Sequence, residues 1–298
     1  MIVSASYRTD IPAFHGDWFG RRLEAGWCDV ANPYGGRSYR VALAGPALDG
    51  FVFWTRNAAP FQPILAEIAR RGVPFVVQYT VTGYPRALER SVVGVDHAIA
   101  DIRALRAAYG PRAVVWRYDP VLASDLTPDD WHRRQFARLA EALAGACDEV
   151  VVSWAQIYRK TARNLDRAAA RQGFAWRDPD AEAKRAMLRE LAAIAAERGM
   201  TAPLCSQSAL LVDGLAPSRC IDAVRLSDVA GRPIAARTKG NRPGCQCAES
   251  RDIGAYDTCP HGCAYCYAVS DGARARAAFR ARDPAVPMLG GGAAGDGG

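Results

Sequence analysis

The sequence predicts an α/β fold built on a parallel sheet, and three observations carry that expectation. Six short runs of β-branched and aromatic residues recur, several of them continuously apolar, as strands buried on both faces must be. Segments with helical apolar spacing separate most of them, and strands alternating with helices imply parallel pairing through right-handed crossovers. The length of 298 residues, with 50% hydrophobic, sustains one large domain or two small ones and excludes wholesale disorder.

In chain order the expected strands are 2–6, 51–55, 74–81, 113–117, 149–154 and 202–206. A hairpin inserted at 30–48 turns at the Gly35-Gly36 pair. The expected helix 61–71 places Ile64, Leu65 and Ile68 on one face, and 96–109 repeats Ile99, Ile102 and Leu105. Thr127 is a candidate N-cap, with Pro128 at the first helical position and Asp129 and Asp130 favouring the helix dipole. That helix carries Phe136, Leu139 and Leu143 and stops near Gly145. A further helix, 180–198, carries Leu188, Leu191 and Ile194 and ends where Gly199 suits a left-handed cap. Six strands are too few for a full eight-stranded barrel; they suit an open doubly wound sheet or a partial barrel of six β/α units. By composition the chain divides into 1–235, a cysteine-rich module at 236–285 and an expected disordered tail at 286–298.

The charge, 38 Lys+Arg against 31 Asp+Glu or +7 net, reads mainly as a bias toward arginine, since only Lys160, Lys184 and Lys239 are lysines. It permits a nucleic-acid partner without requiring one. No stretch approaches the ~18 apolar residues of a membrane helix. The start lacks a basic segment followed by an apolar one, so a cytoplasmic protein with reduced thiols is expected.

Strands of this class present their C-terminal ends to ligand. Here those ends carry Arg8 and Asp10, Arg56 and Asn57, Arg117 and Asp119, and Ser206 and Gln207. Some cap helices or form turns; together they mark a functional rim.

The nine cysteines carry the chemistry. Cys28 and Cys147 stand alone and read as core residues. The other seven are Cys205, Cys220, Cys245, Cys247, Cys259, Cys263 and Cys266. An odd, clustered count in a reduced protein argues for metal ligation over disulfides. Cys259-Pro-His-Gly-Cys263-Ala-Tyr-Cys266 has the spacing C-x3-C-x2-C. Three thiolates on a compact loop can hold three irons of a [4Fe–4S] cluster and leave the fourth open to a small molecule.

This loop resembles that of the radical S-adenosylmethionine (SAM) superfamily, C-x3-C-x-aromatic-C. The resemblance implies that SAM chelates the open iron and that one electron cleaves it to methionine and a deoxyadenosyl radical, which abstracts hydrogen from an unidentified substrate. It also implies that Tyr265 lies against the adenine and that a ferredoxin or flavodoxin supplies the electron. Superfamily members carry the motif after the first strand, whereas here it follows all six. Nearly end to end, through 4–12, Asn32-Pro33, 53–55, 117–120 and 245–268, the chain resembles a bacterial and archaeal domain-of-unknown-function family. In that family the C-terminal cysteines are similar to the radical SAM cluster. The implied fold is a partial (β/α)6 TIM-like barrel, rearranged so that the cluster loop is C-terminal.

The Gly-Gly-Glu that usually holds the SAM amino group is absent, and 54–57 stand in its place. Arg117, Asp119 and Arg8 are therefore the candidates for pairing with SAM's carboxylate and amino groups. Cys205, Cys220, Cys245 and Cys247 make a candidate second site, an auxiliary [4Fe–4S] cluster before a structural Zn2+. His261 is expected to orient the loop or bond a cluster sulfur. The basic loop 232–242 is a candidate contact for an anionic substrate, and the basic helix 274–282 reads as a solvated face. His15, His97 and His132 read as surface or helix residues without ligand spacing. Two readings from other classes stand beside the enzyme: an iron–sulfur or zinc protein that binds or shuttles electrons without SAM, and a nucleic-acid lesion repair lyase. The second needs an affinity for nucleic acid that falls steeply as salt rises, and no stripe of arginines interleaved with aromatics strengthens it.

Overall fold

The computed structural model describes residues 1–32, 35 and 37–291. β1 (Ile2–Ala5) leads into α1 (Ile11–Phe14) and α2 (Gly16–Ala25). The Asp10 carboxylate caps α1 by accepting the Ala13 N–H at 2.9 Å. β2 (Trp27–Val30) and β3 (Tyr39–Ala42) form an antiparallel hairpin outside the main sheet. It starts three residues before the expected 30–48; Pro33 and Gly36 lie outside the described residues. Then come β4 (Gly50–Thr55), α3 (Gln62–Arg70), β5 (Phe75–Thr80), α4 (Val95–Tyr109), β6 (Val114–Val121) and β7 (Ala123–Ser124). α5 (Asp129–Leu143), β8 (Val150–Trp154), α6 (Arg159–Gln172), β9 (Trp176–Arg177) and α7 (Ala181–Glu197) follow. The chain continues through α8 (Ala223–Ala230), β10 (Ser250–Asp252) and α9 (Gly272–Arg280).

The main sheet has six parallel strands in the order β10-β1-β4-β5-β6-β8. It stays open, with β10 and β8 as its edges, and the described residues form no closed barrel. Side chains alternate with period two. Val3, Ala5, Phe51, Phe53, Val77, Trp116 and Val152 enter the larger core, shared with Leu65, Ile102, Phe136 and Leu191 of the helices. Ile2, Val52, Val76, Val115 and Val151 face the other way, where Leu226 of α8 packs on them. Two residues further along each strand, that second face turns to Ser4, Trp54, Gln78, Arg117 and Ser153. Each strand therefore reads as apolar almost throughout yet delivers a polar layer to one end.

Several expectations need correction. Segment 202–206 is not a regular strand. It runs beside β8, with Val150 N–H bonded to Thr201 O at 2.8 Å and Cys205 N–H to Val152 O at 2.9 Å. Pro203 lacks the N–H that would continue the ladder. The sixth strand is β10, three residues long and polar in sequence. It places the cysteine-rich segment within the main sheet, so 236–285 is not set apart from 1–235. Thr127 does not cap α5; its hydroxyl donates to Leu122 O at 2.7 Å, and Pro128 takes the cap position. The tail expected to be disordered from 286 is anchored through 291. Trp18 Nε1 donates to Val286 O at 3.0 Å, and Asp29 N–H to Pro287 O at 2.9 Å. α9 is not merely solvated, because Phe279 packs edge-on against Phe14 and His15. His15 is buried between α1 and α2 rather than on the surface, while His132, buried, and His97, exposed, lie in helices as expected.

Candidate functional site

The short strand β10 matters because of how it ends. The buried Asp252 carboxylate accepts from Ser4 Oγ at 2.6 Å, Ser6 Oγ at 2.7 Å, Gly254 N–H at 3.0 Å and Tyr7 N–H at 3.2 Å. Burial nevertheless pushes its pKa up, against the pull of those donors and of Arg8. At Gly254 a Cβ would lie 2.0 Å from Ser6 Oγ and 2.5 Å from Ser6 Cβ, so only glycine lets the two chains approach this closely. This junction feeds the cysteine loop onto the C-terminal end of β1, the position a first-strand loop would occupy.

The loop is closed at its base by Asp257 N–H to Ala268 O at 3.0 Å, and it docks on the segment between β5 and α4. Ala264 N–H bonds Leu88 O at 2.8 Å, and Ser91 N–H bonds His261 O at 2.9 Å. His261 Nε2 lies 2.8 Å from Asp10 Oδ2, and that carboxylate also accepts the Arg56 N–H at 2.8 Å. His261 thus orients the loop, one of the two roles expected for it. Burial pushes the Cys259, Cys263 and Cys266 thiols up, Cys263 to about 12, with Arg56 pulling Cys263 the other way.

Tyr265 is tied into a buried polar knot. Its hydroxyl donates to Glu89 Oε1 and accepts from Arg56 Nη2 at 2.6 Å. Glu89 Oε1 also accepts from Arg56 Nη1 at 2.7 Å and Thr82 Oγ1 at 2.6 Å. Sequence reasoning placed Arg56 on the rim but gave it no role, and it missed Glu89, which sits in a loop without any local pattern.

The other four thiols form a second group. Cys205 Sγ and Cys220 Sγ are 3.6 Å apart. Contact with Cys205 and then Cys247 pulls Cys220 below the usual thiol value, while contact with Cys220 pushes both Cys205 and Cys247 up. Contact with Cys247 lowers Cys245 to about 5. Donors converge on the sulfurs: Arg117 Nη1 reaches Cys220 at 3.0 Å, Arg242 Nη2 reaches Cys205 at 3.4 Å, and Ile221 N–H reaches Cys247 at 3.4 Å.

All seven of these cysteines, with Tyr265, Arg117, Asp119 and Arg8, line one cavity of about 620 Å3. Arg117 and Asp119 stand on the four-thiol side. Arg117 is committed to Gln78 Oε1 at 3.1 Å, to Cys220 and to Asp119, and Asp119 also accepts from Ser153. Arg8 stands on the loop side, its guanidinium over the rings of Tyr7 at 5.5 Å and Tyr256 at 5.4 Å. Cys28 and Cys147 lie in the core, where burial pushes both up to about 12. Among the described residues, no three of His, Cys, Asp and Glu are grouped so as to hold a single metal ion. No helix of the described residues is long and apolar enough to cross a membrane.

Fold and site together define an α/β protein with a thiol-rich cavity at the C-terminal ends of an open parallel sheet. The chain belongs to the family described as domain of unknown function DUF1848, whose family model matches residues 2–268. No curated protein and no solved structure matches the chain.

Proposed function

We propose that the chain is an iron–sulfur enzyme of radical SAM type, with Cys259, Cys263 and Cys266 holding a [4Fe–4S] cluster. The observation that carries this reading is the placement of the three thiols and Tyr265. All open onto a single cavity at the C-terminal ends of β1, β4, β5, β6 and β8. The donor set fits the group, since the thiols are free, they share one half-buried loop, and a guanidinium stands beside Cys263 to offset negative charge. When bound, the cluster supplies the electron that cleaves SAM reductively. The chain's own residues do the rest. Asp10 and His261 set the loop's angle, and the Arg56–Glu89–Tyr265 knot fixes the aromatic position. Of the SAM-pairing candidates, Arg117 already serves Cys220, Gln78 and Asp119, whereas Arg8, 3.6 Å from Asp252 and bonded to Gly254 O at 3.4 Å, keeps a buried Nε without a hydrogen-bond partner among the described residues.

Anaerobic reconstitution with iron and sulfide, followed by SAM and a reductant, tests the reading. Deoxyadenosine is expected from the wild type and not from Cys263→Ala. Fully loaded wild type that never cleaves SAM overturns it.

The four-thiol wall supports a second centre, iron–sulfur before zinc. Guanidinium and backbone N–H donors aimed at sulfur are the surroundings that metal-bound thiolates require. Iron, sulfide and zinc analysis of anaerobically purified protein decides: a total of about four irons without zinc removes the second centre.

A further inference from the structure

Among the described residues, four large hydrophobic side chains are exposed, and three of them are tyrosines at the same place. Tyr158, Tyr256 and Tyr267, at 47%, 41% and 41% exposure, all line the cavity described above. Single exposed rings are ordinary on a protein surface; three gathered at one cavity mark a contact site.

Two cations stand among them. Lys160 Nζ lies 5.6 Å from the Tyr256 ring centroid and lines the cavity. The other two lysines are ion-paired, Lys184 to Asp178 at 2.6 Å and Lys239 to Glu249 at 3.0 Å. Lys160 has no carboxylate within 4 Å among the described residues, and neither has Arg242. Arg242 is held by Gln156 Oε1 at 3.1 Å, the atom that also accepts from the Tyr158 hydroxyl, and by Cys205 Sγ at 3.4 Å. Three exposed aromatic rings and two cations without a carboxylate within 4 Å among the described residues thus line one cavity.

We propose that this mouth takes a nucleotide unit of a single-stranded nucleic acid, its base against the tyrosines and its phosphate against Lys160 and Arg242. The proposal rests on the reading that the cavity is the reaction site and names its substrate class. Stacking platforms interleaved with cations are how single strands are bound without sequence preference. An acidic peptide would use the cations and leave the three rings without a partner. A base still paired in a duplex could not reach the thiol loop at the cavity wall, so an unpaired strand is the form that fits.

The test uses the full chain as purified and requires neither cluster nor SAM, so its failure is distinct from failure of SAM cleavage. Fluorescence anisotropy follows a labelled 12-nucleotide single strand, its duplex and a poly-glutamate competitor at several salt concentrations. One phosphate neutralised by Lys160 and Arg242 predicts a log–log salt slope of about −0.7, and Lys160→Ala reduces its magnitude. Tyr158→Ala and Tyr256→Ala each weaken binding by about 5-fold to 100-fold, whereas Tyr158→Phe keeps the ring and the affinity. Absence of binding at low salt overturns the proposal. So do equal affinity for the duplex, equal competition by poly-glutamate, and a loss in Tyr158→Phe that matches the alanine variant.

Discussion

Replacing Glu89 by glutamine removes one charge from the knot that anchors the cysteine loop and leaves its shape intact. Glu89 Oε1 accepts from Arg56, Thr82 and Tyr265, and the Arg56 and Glu89 side chains are 11% and 3% exposed. In the variant the Arg56 guanidinium stays buried without its counter-charge. Breaking one side of a buried pair costs about 3–5 kcal/mol, because the stranded charge cannot return to water. For a chain of this size the melting temperature falls by about 2 °C per kcal/mol, so a drop of about 6–10 °C is expected. Urea denaturation should show the midpoint moving with little change in slope. Removing both partners, in Arg56→Met with Glu89→Leu, should recover most of that loss, since a buried pair replaced by apolar groups of similar volume is close to neutral. Hydrogen exchange at 259–266 should quicken in Glu89→Gln, because the neutral amide oxygen is a weaker acceptor for Tyr265 and Arg56 than the carboxylate. A Glu89→Gln loss below about 1 kcal/mol, or a double variant no more stable than the single one, would refute the reasoning.

Two further outcomes bear on the scaffold. Gly254→Ala drives a Cβ into Ser6 at the β10–β1 junction and should cost about 1–3 kcal/mol in urea denaturation; a midpoint equal to that of the wild type contradicts the close approach. His132 is buried against Tyr118 Oη at 2.8 Å and Leu122 O at 3.0 Å, and burial holds its pKa at about 4. The unfolded chain takes up that proton first as the pH falls from 6.5, so this stability is complete above pH 6.5 and lost toward pH 4. The gap corresponds to about 3 kcal/mol, and His132→Gln should flatten the stability curve between pH 7 and 5 relative to wild type. Parallel curves for the two proteins would exclude that role for His132.

Much of the scaffold was legible because it is written locally. Apolar runs of five to eight residues marked β1, β4, β5, β6 and β8, and the spacing of Ile99, Ile102 and Leu105 marked α4. Asp180 was expected at the start of α7, and its side chain does accept the Ala183 N–H at 2.8 Å. β10 escaped notice because three polar residues carry no periodicity; β1 alone gives Ser250–Asp252 its strand conformation. α2, α6 and α8 were not foreseen either, although each ends at a glycine in the left-handed region.

The site divides along the same line. Spacing within eight residues was enough to group Cys259, Cys263 and Cys266 and to single out Tyr265, because residues on one short loop are close in space whatever the fold. Gathering Cys205, Cys220, Cys245 and Cys247 onto one wall depended on tertiary structure, as did giving Arg117 to a cysteine and setting Glu89 beneath Tyr265. The tyrosines and cations of the mouth belong to that second class too: Tyr158 and Lys160 open α6, Arg242 comes from a loop, and Tyr256 and Tyr267 flank the cysteine motif. Periodicity and capping act over a few residues and leave a trace in the string. A parallel sheet joins strand ends separated by tens of residues, and only its order and register decide which of them meet.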